Sequence, residues 1–154
     1  MIRAVLTTTA LLLATATPAS ADATGYLFWD SDAGAWPTEG RSGTWAPPGL
    51  FSVREAPDED NLIRIKGESP DEREFLEIRL YRHDGQRITE GHFEDQKVLV
   101  VNHGFGWYDN AGDFDVEHIA YNDEGLISEF DGAIEHHYRD NPDSTFRAKV
   151  SYRR

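Results

Sequence analysis

The sequence predicts an all-β fold, an antiparallel β-sandwich of about eight to nine strands in a single domain. Three observations carry that expectation. Turn-forming clusters recur along the chain: DSDAG, PTEG, APPG, APDEDN, ESPDE, HDGQ, NHG, NDEG and DNPDS. The runs between them are short and rich in aromatic and β-branched residues. In the last of them Phe146, Ala148, Val150 and Tyr152 alternate with Arg147, Lys149, Ser151 and Arg153, the period of two expected of a strand with one wet face.

Taken in order, strands are expected near Tyr26–Trp29, Leu50–Glu55, Leu62–Lys66, Leu76–Tyr81, Gly91–Phe93, Val98–Asn102, Asp113–Tyr121, Leu126–Tyr138 and Phe146–Tyr152. Phe114, Val116 and Ala120 share one face, with His118 between them, and Phe130, Ile134, His136 and Tyr138 share another. Asn122-Asp123-Glu124-Gly125 reads as a hairpin turn, with glycine where positive φ is needed. One segment competes. Ser69-Pro70-Asp71-Glu72 has the cap, proline and acids of a helix start. The alternation of Leu76, Ile78 and Leu80 with Glu77, Arg79 and Tyr81 favours a strand from about Phe75, with at most a helical turn before it.

The first residues read as an export signal. Arg3 supplies a basic start, Ala4 to Ala16 is apolar and uncharged, and Pro18 precedes the small-x-small site Ala19-Ser20-Ala21. Residues 1–21 are therefore expected to be a cleaved secretory signal peptide and 22–154 the domain. The signal is too short for a membrane span, so a secreted, extracellular protein is expected. The chain has no cysteine, which excludes thiol catalysis, thiolate zinc sites and disulfide staples. Its 28 acidic and 15 basic residues give a net charge of −13. That charge repels phosphate backbones and anionic membranes, so no nucleic-acid partner is expected.

The stretch GDFDVEHIAYNDEGLISEFDGAIEHHY, followed by FRAKVSY, resembles a family of small secreted β-sandwich domains common in filamentous soil bacteria and without an established activity. Gly112, Phe114, Val116, Gly125, Phe130, Asp131, Glu135 and His137 match its pattern. Ile88–Asp95 looks like its L-T-x-G-x-Y hairpin, and Ser31–Gly40 like a loose version of its first loop. Members often carry two cysteines where this chain has Trp107 and Tyr138. The resemblance implies that an aromatic contact stands in for a disulfide. It brings no catalytic residues.

Three groups of residues are candidate sites. In IEHHYRD, strand alternation sends Glu135, His137 and Arg139 to one side and His136 and Tyr138 to the other. Glu135 and His137 are the acid and base an enzyme would use; as metal ligands they would need one more from the neighbouring strand, His118 or Glu117. Opposite Arg147 or Lys149, Glu135 would instead form an ordinary cross-strand charge pair. The Asp109–Asp115 loop places Asp109, Asp113 and Asp115 close together, with the oxygen-rich chemistry calcium takes, though also that of turns. The aromatics Tyr26, Phe28, Trp29, Trp36, Trp45, Trp107 and Tyr108 lie at or beside loops, where planar rings stack on ligands or bury in the core. Trp36, Trp107 and Tyr108 are the expected ligand-binding set. The functional expectation is a secreted, non-catalytic module that binds an extracellular ligand or partner through its loops. The alternative is a small secreted enzyme or inhibitor working through the Glu135/His137 face.

Overall fold

The computed structural model describes residues 23–46, 50–69, 71, 73–106, 111–138 and 140–154. The strands are β1 Thr24–Ser31, β2 Ser42–Trp45, β3 Leu50–Ala56, β4 Leu62–Glu68, β5 Phe75–Tyr81, β6 Gly91–Asn102, β7 Phe105–Gly106, β8 Ala111–Tyr121, β9 Ile127–Tyr138 and β10 Asn141–Arg153. A 3-10 turn, Pro57–Glu59, joins β3 to β4. All described strand pairs are antiparallel. Among the described residues there is no helix long and apolar enough to cross a membrane.

The sandwich expectation is corrected in its layering. A sandwich has two sheets, but here the ten strands form one sheet in the order β2-β1-β10-β9-β8-β6-β5-β4-β3, with short β7 on β6. The whole of β1 pairs with residues 146–153 of β10, and the described ladder is interrupted between β2 and β3. The sheet therefore curls into a nearly closed barrel with one seam, as the twist of long antiparallel strands allows. Side chains fill the interior. Trp45 of β2 lies so close to Gly67 of β4 that a Cβ there would meet its ring at 2.6 Å. Phe51 of β3 meets Tyr152 of β10 edge to face at 5.6 Å. Phe146, Trp29 and Trp45 stack in a column, with centroids 6.0 Å apart at each step.

Two bulges correct the expected faces. Gly91–Phe93 and Val98–Asn102 belong to one strand, whose register slips between Phe93 and Gln96 around Asp95 at φ 53°. On β8 the register slips between Val116 and His118. Glu117 and His118 consequently both reach solvent instead of alternating, and Ile119 and Tyr121 pack on the core. The expected Asn122 turn forms: Gly125 has φ 77°, and the Asn122 Oδ1 accepts from Glu124 and Leu126 N–H at 3.1 and 2.9 Å. β5 begins at Phe75, and the loop before it is closed by Glu74 N–H donating to the Ser69 hydroxyl at 2.9 Å.

Candidate functional site

The expected site strand, β9, splits much as alternation requires. Ile134 and His136 are buried and Glu135 is exposed. His136 is 1% exposed, and its Nε2 has no hydrogen-bond partner among the described residues. Burial pushes its pKa down to about 4, helped by the charge of His137, so it is a neutral core residue at physiological pH. His137 lies with Nδ1 3.2 Å from the Thr145 hydroxyl. Glu135 is in register with Arg147 on β10 and Asp113 on β8. Arg147, however, spends its guanidinium on Asp32, at 3.1 and 3.3 Å, and holds the Asp32 carboxyl below its ordinary range. Arg139 lies outside the described residues.

The calcium candidates part in the same way. Asp113 and Asp115 share the outward face of β8, while Asp109 lies outside the described residues. The Asp113 carboxylate accepts the Asp95 N–H at 2.8 Å, holding the β6 bulge. Asp115 sits 2.6 Å from the His92 Nδ1. With Glu94 on the other ring nitrogen, this raises the His92 pKa above its ordinary value. His118 lies similarly between Glu90 and Glu129, at 3.0 and 3.1 Å. No set of three or more such side chains among the described residues is arranged around a common metal position.

The aromatics separate into buried and exposed groups. Trp29 and Trp45 are core residues, whereas Tyr26 and Phe28 face outward on β1 at 44% and 43% exposure. Trp36 is half-buried against Tyr138, centroids 5.9 Å apart, and the Tyr138 hydroxyl donates to Asp140 at 3.1 Å. The described aromatic partner of Tyr138 is Trp36, not the Trp107 that the resemblance would pair with it. Trp107 and Tyr108 lie outside the described residues.

Sequence reasoning missed two concavities. The first opens at the barrel seam, a cleft of about 310 Å³ between the β1–β2 turn and the ends of β5 and β6. Trp29, Trp45, Arg41, Asn102, His103 and Glu74 line it, with Gly43 at its wall. Arg41 is pinned there. It donates to Thr38 and Pro37 carbonyls at 2.9 and 3.0 Å and to the Asn102 Oδ1 at 2.5 Å. Asn102 is buried and donates in turn to the Phe75 carbonyl at 2.8 Å. The Trp29 Nε1 is buried without a partner among the described residues, against Gly43, where a Cβ would approach it to 2.6 Å. A buried indole N–H usually finds an acceptor. The second concavity, of about 430 Å³, lies on the outer face of β3–β5.

Fold and site together define an all-β, antiparallel, barrel-like protein with a polar cleft at the mouth of its seam. Comparison with protein-family models, curated proteins and solved structures finds no match for the chain.

Proposed function

We propose that this chain is a secreted, non-catalytic module that binds a polar, uncharged extracellular ligand of saccharide type in the seam cleft at its loop end. The carrying observation is a cleft walled by the Trp29 and Trp45 rings in which the Arg41–Asn102 bridge is already fixed. Barrel mouths are frequent ligand sites, and pre-placed polar groups on an apolar wall are what such sites use. The Trp29 and Trp45 rings give the ligand an apolar wall, and the Arg41–Asn102 bridge fixes its orientation without having to order on binding. The resemblance to secreted modules without known activity fits this reading. It moves the binding residues from Trp36, Trp107 and Tyr108 to the Trp29–Arg41–Asn102 group.

The test uses purified bacterial cell wall, chitin and cellulose as solid phases and their soluble oligosaccharides in solution. Retention should be lost in Arg41→Gln and Gly43→Ala and kept in Trp36→Ala. The Trp29 indole N–H resonance should move on titration with the retained sugar. Retention lost in Trp36→Ala alone would return the site to the loop aromatics, and no retention on any polymer counts against a saccharide ligand.

A further inference from the structure

The outer concavity has an unusual charge arrangement for so acidic a chain. Arg54 stands opposite Arg64 across β3 and β4, and Arg64 opposite Arg79 across β4 and β5. Three of the chain's 15 basic residues thus occupy one cross-strand row, where like charges directly opposite are destabilising. In the next row Ser52 stands opposite Lys66, and Lys66 opposite Glu77.

The carboxylates nearby answer only part of this charge. Glu77, with a side chain 9% exposed, is shared between Arg79, which it bonds directly, and Arg64 at 3.4 Å. Glu59 takes the far end of Arg64 at 3.1 Å. Glu68 takes Lys66 at 2.7 Å. Arg54 has no carboxylate partner among the described residues, and it borders the concavity together with Ser52, Arg64 and Lys66. Arg64 Nε, the atom 3.4 Å from Glu77, is buried and makes no hydrogen bond among the described residues. The result is a recess floored by a satisfied carboxylate, with the exposed Arg54 on its rim as a guanidinium fork that no described carboxylate occupies, suited to planar or tetrahedral oxyanions.

We propose that this recess on β3–β5 is a binding site for an oxyanion group, a sulfate, phosphate or carboxylate, held by Arg54 and Arg64 with Ser52 and Lys66 beside them. The site is separate from the seam cleft and does not depend on the reading of that cleft. Its ligand is a small anion or a charged substituent of an extracellular polymer. The chain's net charge of −13 repels anions at long range, so saturable binding must come from local donors.

The experiment titrates the full chain with sodium sulfate, phosphate and acetate, holding ionic strength constant with sodium chloride. Thermal melting and the arginine Nε–H resonances are followed. At least one oxyanion should raise the melting temperature saturably and move the Arg64 resonance. Arg54→Gln should weaken that response about tenfold or more, the loss expected for a charged hydrogen bond. Lys149→Gln, the same charge change on β10, should leave it intact. No saturable response to any of the three ions overturns the site. So does an equal loss in both variants, which would reduce the effect to overall charge. Ranking the three ions then separates a carboxylate source from a sulfate or phosphate one.

Discussion

The two concavities are built from opposite materials. The seam cleft is walled by buried rings and tied by neutral or singly charged hydrogen bonds to backbone carbonyls and Asn102. The recess on β3–β5 is held by ion pairs around one nearly buried carboxylate, Glu77. Packing of the first kind is indifferent to salt and fixes shape. Charge of the second kind responds to salt, and its repulsive part is relieved by any anion that arrives. One barrel therefore carries a rigid cleft and a site whose energetics depend on what surrounds it.

The largest test removes the rigid wall. Trp45→Ala deletes the ring that spans from β2 to Gly67 of β4 and stacks on Trp29. It should cost about 3–5 kcal/mol in denaturant unfolding, as large-to-small core changes do. The cost should be the same at low and high salt, since nothing lost is charged. A strong salt dependence would break the contrast between the two regions. Next comes Glu77→Gln, which leaves Arg64 and Arg79 facing each other without their shared carboxylate. Losing the charged hydrogen bonds to arginines that are themselves part-exposed should cost about 1.5–3 kcal/mol, and here added salt should recover part of the loss by screening the arginines.

These regions also differ in how far they could be read from sequence. The all-β class and most strands are legible because period-two alternation and turn residues are local signals. The inward set Phe130, Ile134 and His136 follows from them directly. β2 is not legible, because Ser42-Gly43-Thr44-Trp45 is four residues with no alternating apolar set. Yet it forms the seam, and with it the cleft. The bulge on β8 is equally silent, since nothing in Val116-Glu117-His118 announces that one residue is skipped. The arginine row is a matter of register. Arg54, Arg64 and Arg79 each read as outward residues on separate strands, and only the pairing places them side by side. The one-sheet closure, in place of a sandwich, depends on β10 returning to β1 across more than a hundred residues, which no local pattern encodes.

His136 tests whether the rest of the interior is as closed to solvent as the seam wall. Its pKa falls from 6.5 to about 4 in the folded chain, so between those values the unfolded chain binds a proton that the folded chain does not. Stability from this group is then complete above pH 6.5 and declines as the pH drops toward 4. By linkage the loss is about 3 kcal/mol over that window. His136→Leu should flatten this part of the pH–stability curve and leave stability at neutral pH equal or slightly higher, because an unpartnered buried nitrogen disappears. An unchanged acid slope in the variant would mean that His136 is reached by solvent, and that the interior there is less closed than at the Trp29–Trp45 column.

The smallest expected effect is the most discriminating for the charged region. Arg54 forms no ion pair with a described residue and stands opposite Arg64, so in the absence of an anion it contributes only repulsion there. Arg54→Gln should therefore change stability by less than about 0.5 kcal/mol, with the sign toward stabilisation at low salt. That gain should vanish at high salt or in a saturating oxyanion, because each removes the same repulsion from the wild-type chain. Denaturant unfolding of both chains in chloride and in sulfate at matched ionic strength measures it. A loss above about 1 kcal/mol in chloride would make Arg54 a structural residue with a partner of its own. The charged recess would then be a self-satisfied network like the pinned Arg41, and the contrast between the two regions would be gone.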